Sequence, residues 1–157
     1  MLQIRTTPIA ARRRGESRYR GERNLDDCVV LCAQPDETLR DVLLAALGSA
    51  RVVPARTGLE ALGAIDEAHF NLYVLDSWLP DWSGLGLCRH IRKRDRLAPI
   101  CFFTHADAGG FKTSALTCGA DTFLWPTLDP QELRAQLEEA LKYRLIRLAA
   151  SIEPRVV

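Results

Sequence analysis

The sequence predicts a doubly wound α/β domain, with a parallel sheet covered by helices on both faces. Three observations lead there. Short apolar runs alternate with segments of helical periodicity five times along the chain. The central run, Leu72-Tyr73-Val74-Leu75, is apolar throughout rather than alternating, as in a strand buried on both faces. That run ends in a single acid, Asp76, at the carboxyl end of a strand, where open α/β sheets form their ligand crevice.

The elements follow in order. Cys28 to Ala33 reads as a buried strand. Pro35-Asp36 opens a helix with Leu39, Val42, Leu43, Ala46 and Leu47 at helical spacing, and Gly48 stops it. Arg51 to Ala55 is a short strand, and its Pro54 asks for a sheet edge. Thr57 and Glu60 form a capping box for a helix over 58–67. The third strand covers 72–76, and its helix runs from Ser83 to about Arg94. Pro99 to Thr104 is the fourth strand. The fourth helix, about 108–118, is weakly specified because Gly109-Gly110 fall in its first turn. Asp121 to Trp125 is the fifth strand. Asp129, Pro130 and Glu132 start a last helix expected to continue to Ala150, with Leu133, Leu137, Leu141 and Leu145 on one stripe. Five such units fit the flavodoxin-like (βα)5 order 2-1-3-4-5, which puts Pro54 on an edge.

At 157 residues the chain has room for one domain, placed at 25–150, between an N-terminal tail over 1–24 and a short tail over 151–157. The N-terminal tail holds seven arginines and two acids, a net +5, against −4 for the remainder. It lacks apolar periodicity and is expected to be disordered. A leader before the domain is preferred over a nucleic-acid arm, since a basic cluster with a single aromatic, Tyr19, is weak ground for nucleic-acid binding. No run approaches a membrane span, and no secretory signal is present, so a soluble cytoplasmic protein is expected. The five cysteines are odd in number and lack C-x-x-C spacing, which fits reduced thiols.

The Asp76 segment continues with Pro80 at +4 and Ser83-Gly84 ending at +8. It resembles the phosphoacceptor segment of bacterial response-regulator receiver domains. The resemblance extends over residues 27 to about 145 through Ala55-Arg56-Thr57-Gly58, Glu60-Ala61-Leu62, the strand Pro99 to Thr104, and Gly119-Ala120-Asp121 with Phe123-Leu124 and Pro126. It implies Asp76 as phosphoacceptor, Thr104 as the hydroxyl beside the phosphoryl group, and Phe123 as the aromatic switch residue. Two parts of the family's pattern are missing. Cys32-Ala33 stands where the family carries the acidic pair that holds Mg²⁺, and Trp125 stands where it carries a Lys before Pro126.

The expected pocket is therefore Cys32, Ala33, Thr104, Trp125 and Pro126 around Asp76. Mg²⁺ prefers several oxygen ligands, so binding is expected to be weak or absent, with no other cofactor or metal. Trp125 is expected to fill the vacated space beside Ala33, with a cis Trp125–Pro126 bond as the resemblance implies. Asp26 and Asp27 precede the first strand and lie at the wrong end of the sheet, while Asp36 reads as a helix cap. A soft-metal site from Cys32, Asp76 and His105 is disfavoured, because adjacent strand residues point to opposite faces. Arg92-Lys93-Arg94 with Arg96 reads as a solvated cluster favouring a helix C-terminus. No partner is assigned to His69 or His90.

The expected function is an atypical receiver rather than an enzyme, in two-component or chemotaxis-type signalling. It would bind a sensor kinase or downstream protein, or a second copy, through the fourth helix, fifth strand and fifth helix. Nucleic acid and membrane are not expected partners. The alternatives are a slow phosphoacceptor and a small-molecule module with Trp78 and Trp125 lining the pocket. The final helix is expected to outlast the domain and present Ile146 and Leu148 to a partner.

Overall fold

A computed structural model describes residues 24–104 and 110–152. The expectations for the Arg-rich tail, for His105, for the start of the fourth helix and for residues 153–157 fall outside the described residues.

The order of elements is a 3₁₀ turn (Leu25–Asp27), then β1 (Val29–Ala33), α1 (Glu37–Leu47), β2 (Arg51–Ala55), α2 (Gly58–Glu67), β3 (Leu72–Leu75), α3 (Gly84–Arg94), β4 (Ile100–Phe103), α4 (Phe111–Thr117), β5 (Thr122–Leu124), α5 (Pro130–Leu141) and α6 (Tyr143–Ile152). The strands form one parallel sheet in the order β2-β1-β3-β4-β5. Pro54 lies in β2, at an edge, as a residue without an N–H requires.

Strand alternation divides the interior into two cores. Val30, Cys32, Val74, Cys101, Phe103 and Leu124 pack against Leu39 and Leu43 of α1 and Leu133 and Leu137 of α5. Leu31, Ala33, Leu75 and Phe102 pack on the other face, against Ile65 of α2, Leu87 and Ile91 of α3 and Ala115 of α4. The helix starts are capped by the residues the sequence marked. Asp36 accepts from the Leu39 N–H, Thr57 from Glu60, Ser83 from Gly86 and Asp129 from Gln131. The Glu60 carboxylate reaches back to the Arg56 N–H rather than to Thr57, one residue short of the ideal box.

The expectation of a single final helix to Ala150 is corrected. The Lys142 N–H turns back to the Glu139 carbonyl at 3.2 Å, which closes α5 with a tight turn. The Lys142 carbonyl then accepts from the Leu145 and Ile146 N–H groups and starts α6. What holds α6 is Arg147. Its Nε donates to the Asp121 carboxylate, and its Nη2 donates to the Gly119 carbonyl at 2.9 Å. Arg147 thereby anchors the final segment beside the start of β5. Its Leu145, Ile146 and Ile152 are exposed. Among the described residues, no helix is long and apolar enough to cross a membrane.

Candidate functional site

Asp76 follows the last residue of β3, and its N–H donates to the Ala33 carbonyl at 2.8 Å. The ends of β1 and β3 are thus level, and Asp76 stands at the carboxyl edge of the sheet. Three internal donors reach its Oδ1: Thr104 Oγ1 at 3.0 Å, Ser77 Oγ at 3.2 Å and the Trp78 N–H at 3.2 Å. The Ser77 and Thr104 oxygens also lie 2.8 Å apart, so either hydroxyl can turn from Asp76 to donate to the other. The structure brings Asp76 and Thr104 together as the sequence indicates. Ser77 was missed, although its place directly after the acid was the available signal.

The loop carrying these groups is pinned at both ends. Trp78 pairs with Ser83, and the Gly84 N–H donates to the Ser77 carbonyl. A Cβ on Gly84 would stand 2.0 Å from the Asp76 carbonyl oxygen, so only glycine fits this close approach. Asp81 in the same loop accepts from the Gly58 N–H at 2.5 Å and the Leu59 N–H at 3.1 Å, completing the start of α2. A carboxylate there also meets the positive end of the helix dipole.

Cys32 and Ala33 are fully buried, on opposite faces of the sheet. Burial pushes the Cys32 thiol up to about 12, against the pull of Arg40, so it stays protonated at neutral pH. Beyond them Gln34 is buried. Its Nε2 donates to the Phe103 carbonyl at 2.9 Å and its Oε1 accepts from the Asp36 N–H at 3.0 Å. Arg40 closes this turn through the Gln34 and Pro35 carbonyls. Asp26 is occupied far from the site with Arg134 and the Ser49 N–H. The oxygen donors beside Asp76 are hydroxyls and backbone carbonyls, without a second carboxylate at the end of β1. That set does not fit a hard divalent cation.

The expected places of Trp125 and Pro126 are corrected. Both are exposed, and Trp125 is 70% accessible. Trp125 is two residues beyond Phe123, and both rings lie against α4, with β3 and β4 standing between β5 and the β1 end that carries Ala33. Lys112 of α4 lies over them, its Nζ 4.9 Å from the Trp125 ring and 5.7 Å from the Phe123 ring. The Trp125 N–H donates to Gln136 Oε1 at 2.6 Å. The expected cis Trp125–Pro126 bond is also corrected, because there is no cis peptide among the described residues. Trp78 is 74% accessible, so the two indoles stand on the outer surface and do not wall a small-molecule pocket. Phe123 is half-buried, stacked on Phe102 at 6.0 Å and edge-on to Phe111 at 6.2 Å. His90, left without a partner by the sequence, meets Asp66 at 3.1 Å.

The fold, the phosphoacceptor-like acid and its hydroxyl neighbour together narrow the choice of family. The sequence profile of the response regulator receiver domain matches residues 30–138. The chain belongs to this family. Among its relatives, the transcriptional regulatory protein GltR of Pseudomonas aeruginosa is 32% identical over 117 residues, covering 72% of this chain and 48% of GltR. The regulatory protein VanR of Enterococcus faecium is 37% identical over 86 residues, covering 55% of this chain and 37% of VanR. The receiver domain thus spans about half the length of the curated relatives it matches, or less. Among solved structures, the BeF3-activated receiver domain of Thermotoga maritima DrrB superposes with a TM-score of 0.65 at 26% identity, covering 73% of this chain and 97% of that one. Chemotaxis response regulator CheY4 of Vibrio cholerae gives 0.65 at 22% identity over 71% of this chain and 97% of that one, a likeness of fold alone.

Proposed function

We propose that this receiver domain signals through protein–protein contacts set by its resting fold, with phosphorylation of Asp76 slow or absent. The observation that carries the reading is the end of β1. Cys32 and Ala33 are buried beside Asp76, where a metal-dependent phosphoacceptor needs oxygen donors. Phosphoryl transfer relies on metal and cationic groups to neutralise charge on the equatorial oxygens. With a thiol, a methyl and an outward-facing indole at the three positions, that neutralisation is largely missing. Mg²⁺ binding is correspondingly weak. A titration followed by tryptophan fluorescence should not saturate below about 1 mM, since Trp78 follows the Asp76 loop closely.

The partner-binding face lies on α4, the end of β5 and the approach to α5. Leu116, Trp125 and Leu128 are large apolar side chains exposed there. The stacked Phe102, Phe111 and Phe123 rings tie α4 and β5 to the strand beside Asp76. The partner is a sensor kinase or a downstream regulatory protein in the cytoplasm, with a second copy of the chain as a further outcome.

The test is incubation with a small-molecule phosphodonor and Mg²⁺, read by intact mass. We expect the mass to stay unchanged, and Asp76→Ala to leave partner binding intact. Labelling of Asp76 within minutes would replace this reading with the second one, a phosphoacceptor of ordinary function. The second reading is favoured by the Thr104 and Ser77 hydroxyls that converge on Asp76.

A further inference from the structure

The described residues carry a second polar concavity, remote from Asp76. A groove of about 400 Å³ opens between the end of α3 and α6, lined by Arg92, Arg96, Arg147, Ala150 and Ser151. Its floor is built rather than incidental. Arg92 donates to the Gly119 carbonyl through Nε at 2.7 Å, to the Ala98 carbonyl through Nη1 at 2.5 Å and to Asp121 through Nη2 at 2.7 Å. Arg147 reaches the same carboxylate and the same Gly119 carbonyl from α6. Two guanidiniums therefore converge on one buried acid, whose side chain is 3% exposed. Arg96 is exposed and has no carboxylate partner among the described residues.

The charge count decides what this groove accepts. Three guanidiniums against Asp121 leave an excess of two positive charges. The C-termini of α3, α4 and α6 lie nearby, and each contributes roughly half a negative charge. Roughly half a positive charge remains, and it is carried by the exposed Arg96, whose donors have no acceptor among the described residues. Planar guanidiniums match phosphate oxygens in bidentate geometry. The volume lies within the range of small-ligand clefts, about 300–1,000 Å³. A compact groove between two helices fits a small molecule better than a duplex, which needs an extended basic track.

We propose that the groove between α3 and α6 binds a small phosphorylated molecule of roughly nucleotide size, with Arg96 and Arg147 holding its phosphate. The site spans the body of the domain and its last helix, so occupancy would fasten α6 in place. The proposal does not depend on the state of Asp76.

The experiment is calorimetric titration of the full chain with inorganic pyrophosphate, with adenosine diphosphate and with short duplex DNA. Each is repeated with Arg96→Ala, with Arg147→Lys and with Arg56→Ala, an arginine on a different surface. Arg96→Ala leaves the Arg147–Asp121 contact intact, so loss of folding does not confuse the result. We expect pyrophosphate and the nucleotide to bind the parent and Arg56→Ala alike, and roughly tenfold or more weakly after Arg96→Ala, as the loss of a charged hydrogen-bonding group entails. Arg147→Lys keeps the charge but loses the fork, and should weaken both. Three outcomes overturn the proposal: no binding of either small ligand, binding unaffected by Arg96→Ala, or binding of duplex DNA alone, which would assign the basic surface to a nucleic-acid backbone.

Discussion

Asp76 Oδ1 receives Thr104, Ser77 and the Trp78 N–H, while Oδ2 has no donor among the described residues. The carboxylate is thus oriented by its own loop, and the loop is oriented by Gly84. A methyl group at residue 84 would meet the Asp76 carbonyl at 2.0 Å and the Phe102 ring at 2.8 Å. The first of these is backbone and cannot rotate away. Gly84→Ala should therefore destabilise the domain by about 1–3 kcal/mol, the usual cost of overpacking, and shift the Ser77 and Trp78 resonances. A urea midpoint equal to that of the parent would show that α3 can slide off the loop. Asp81→Ala tests the neighbouring contact. It removes the acceptors of the Gly58 and Leu59 N–H groups while Thr57 still caps Glu60, and about 1 kcal/mol should be lost by the same measurement. Asp76 and Thr104 were legible because strand ends fix where such residues must lie. The Trp125 expectation fails on strand order, because β3 and β4 separate the end of β5 from Ala33 on β1, while Lys112 of α4 lies directly over the indole.

At the scale of elements, the strands, caps and strand order were readable from apolar runs, Ser/Thr/Asp caps and a single edge proline. The break at Lys142 was not. Residues 141–144, Leu-Lys-Tyr-Arg, contain neither glycine nor proline, and the leucine stripe continues into Leu145. The contact that follows the break is tertiary: Arg147 meets Asp121 and Gly119, which lie 26 and 28 positions earlier. Removing it should release the helix without unfolding the sheet, because Arg92 still satisfies Asp121. Arg147→Ala should cost about 1–3 kcal/mol, the scale of hydrogen bonds to charged groups, and hydrogen exchange should accelerate over 143–152 only. Unchanged protection there would mean that α6 is held by its apolar face rather than by the arginine.

The whole molecule is two apolar cores on one sheet, and its cysteines and central tyrosine are part of that packing. Burial pushes the thiols of Cys32 and Cys88 up to about 12 from their ordinary 9.0, and raises Cys101 as well. Burial likewise pushes Tyr73 up to about 12 from 10.0, opposed by its bond from the Phe70 N–H. Well below pH 9 these groups hold their protons in both the folded and the unfolded chain, so they contribute no pH dependence of their own there. Between pH 9 and 12 the unfolded chain gives up protons that the folded chain keeps. Stability must then fall as pH rises, by roughly 1.4 kcal/mol per pH unit for each group involved. The contribution is present below the unfolded value and lost toward the folded one. Urea unfolding across this window should show a steep alkaline decline, shallower in Cys32→Ala. The same protonation keeps Cys32, Cys88 and Cys101 unreactive, so their alkylation at neutral pH should wait on unfolding and follow its rate, while the partly exposed Cys118 is replaced by Ala in the tested protein. A stability profile flat above pH 9, or fast alkylation of Cys32, Cys88 or Cys101 in the folded protein, would mean that water reaches the sheet interior and that the two cores are less closed than their packing indicates.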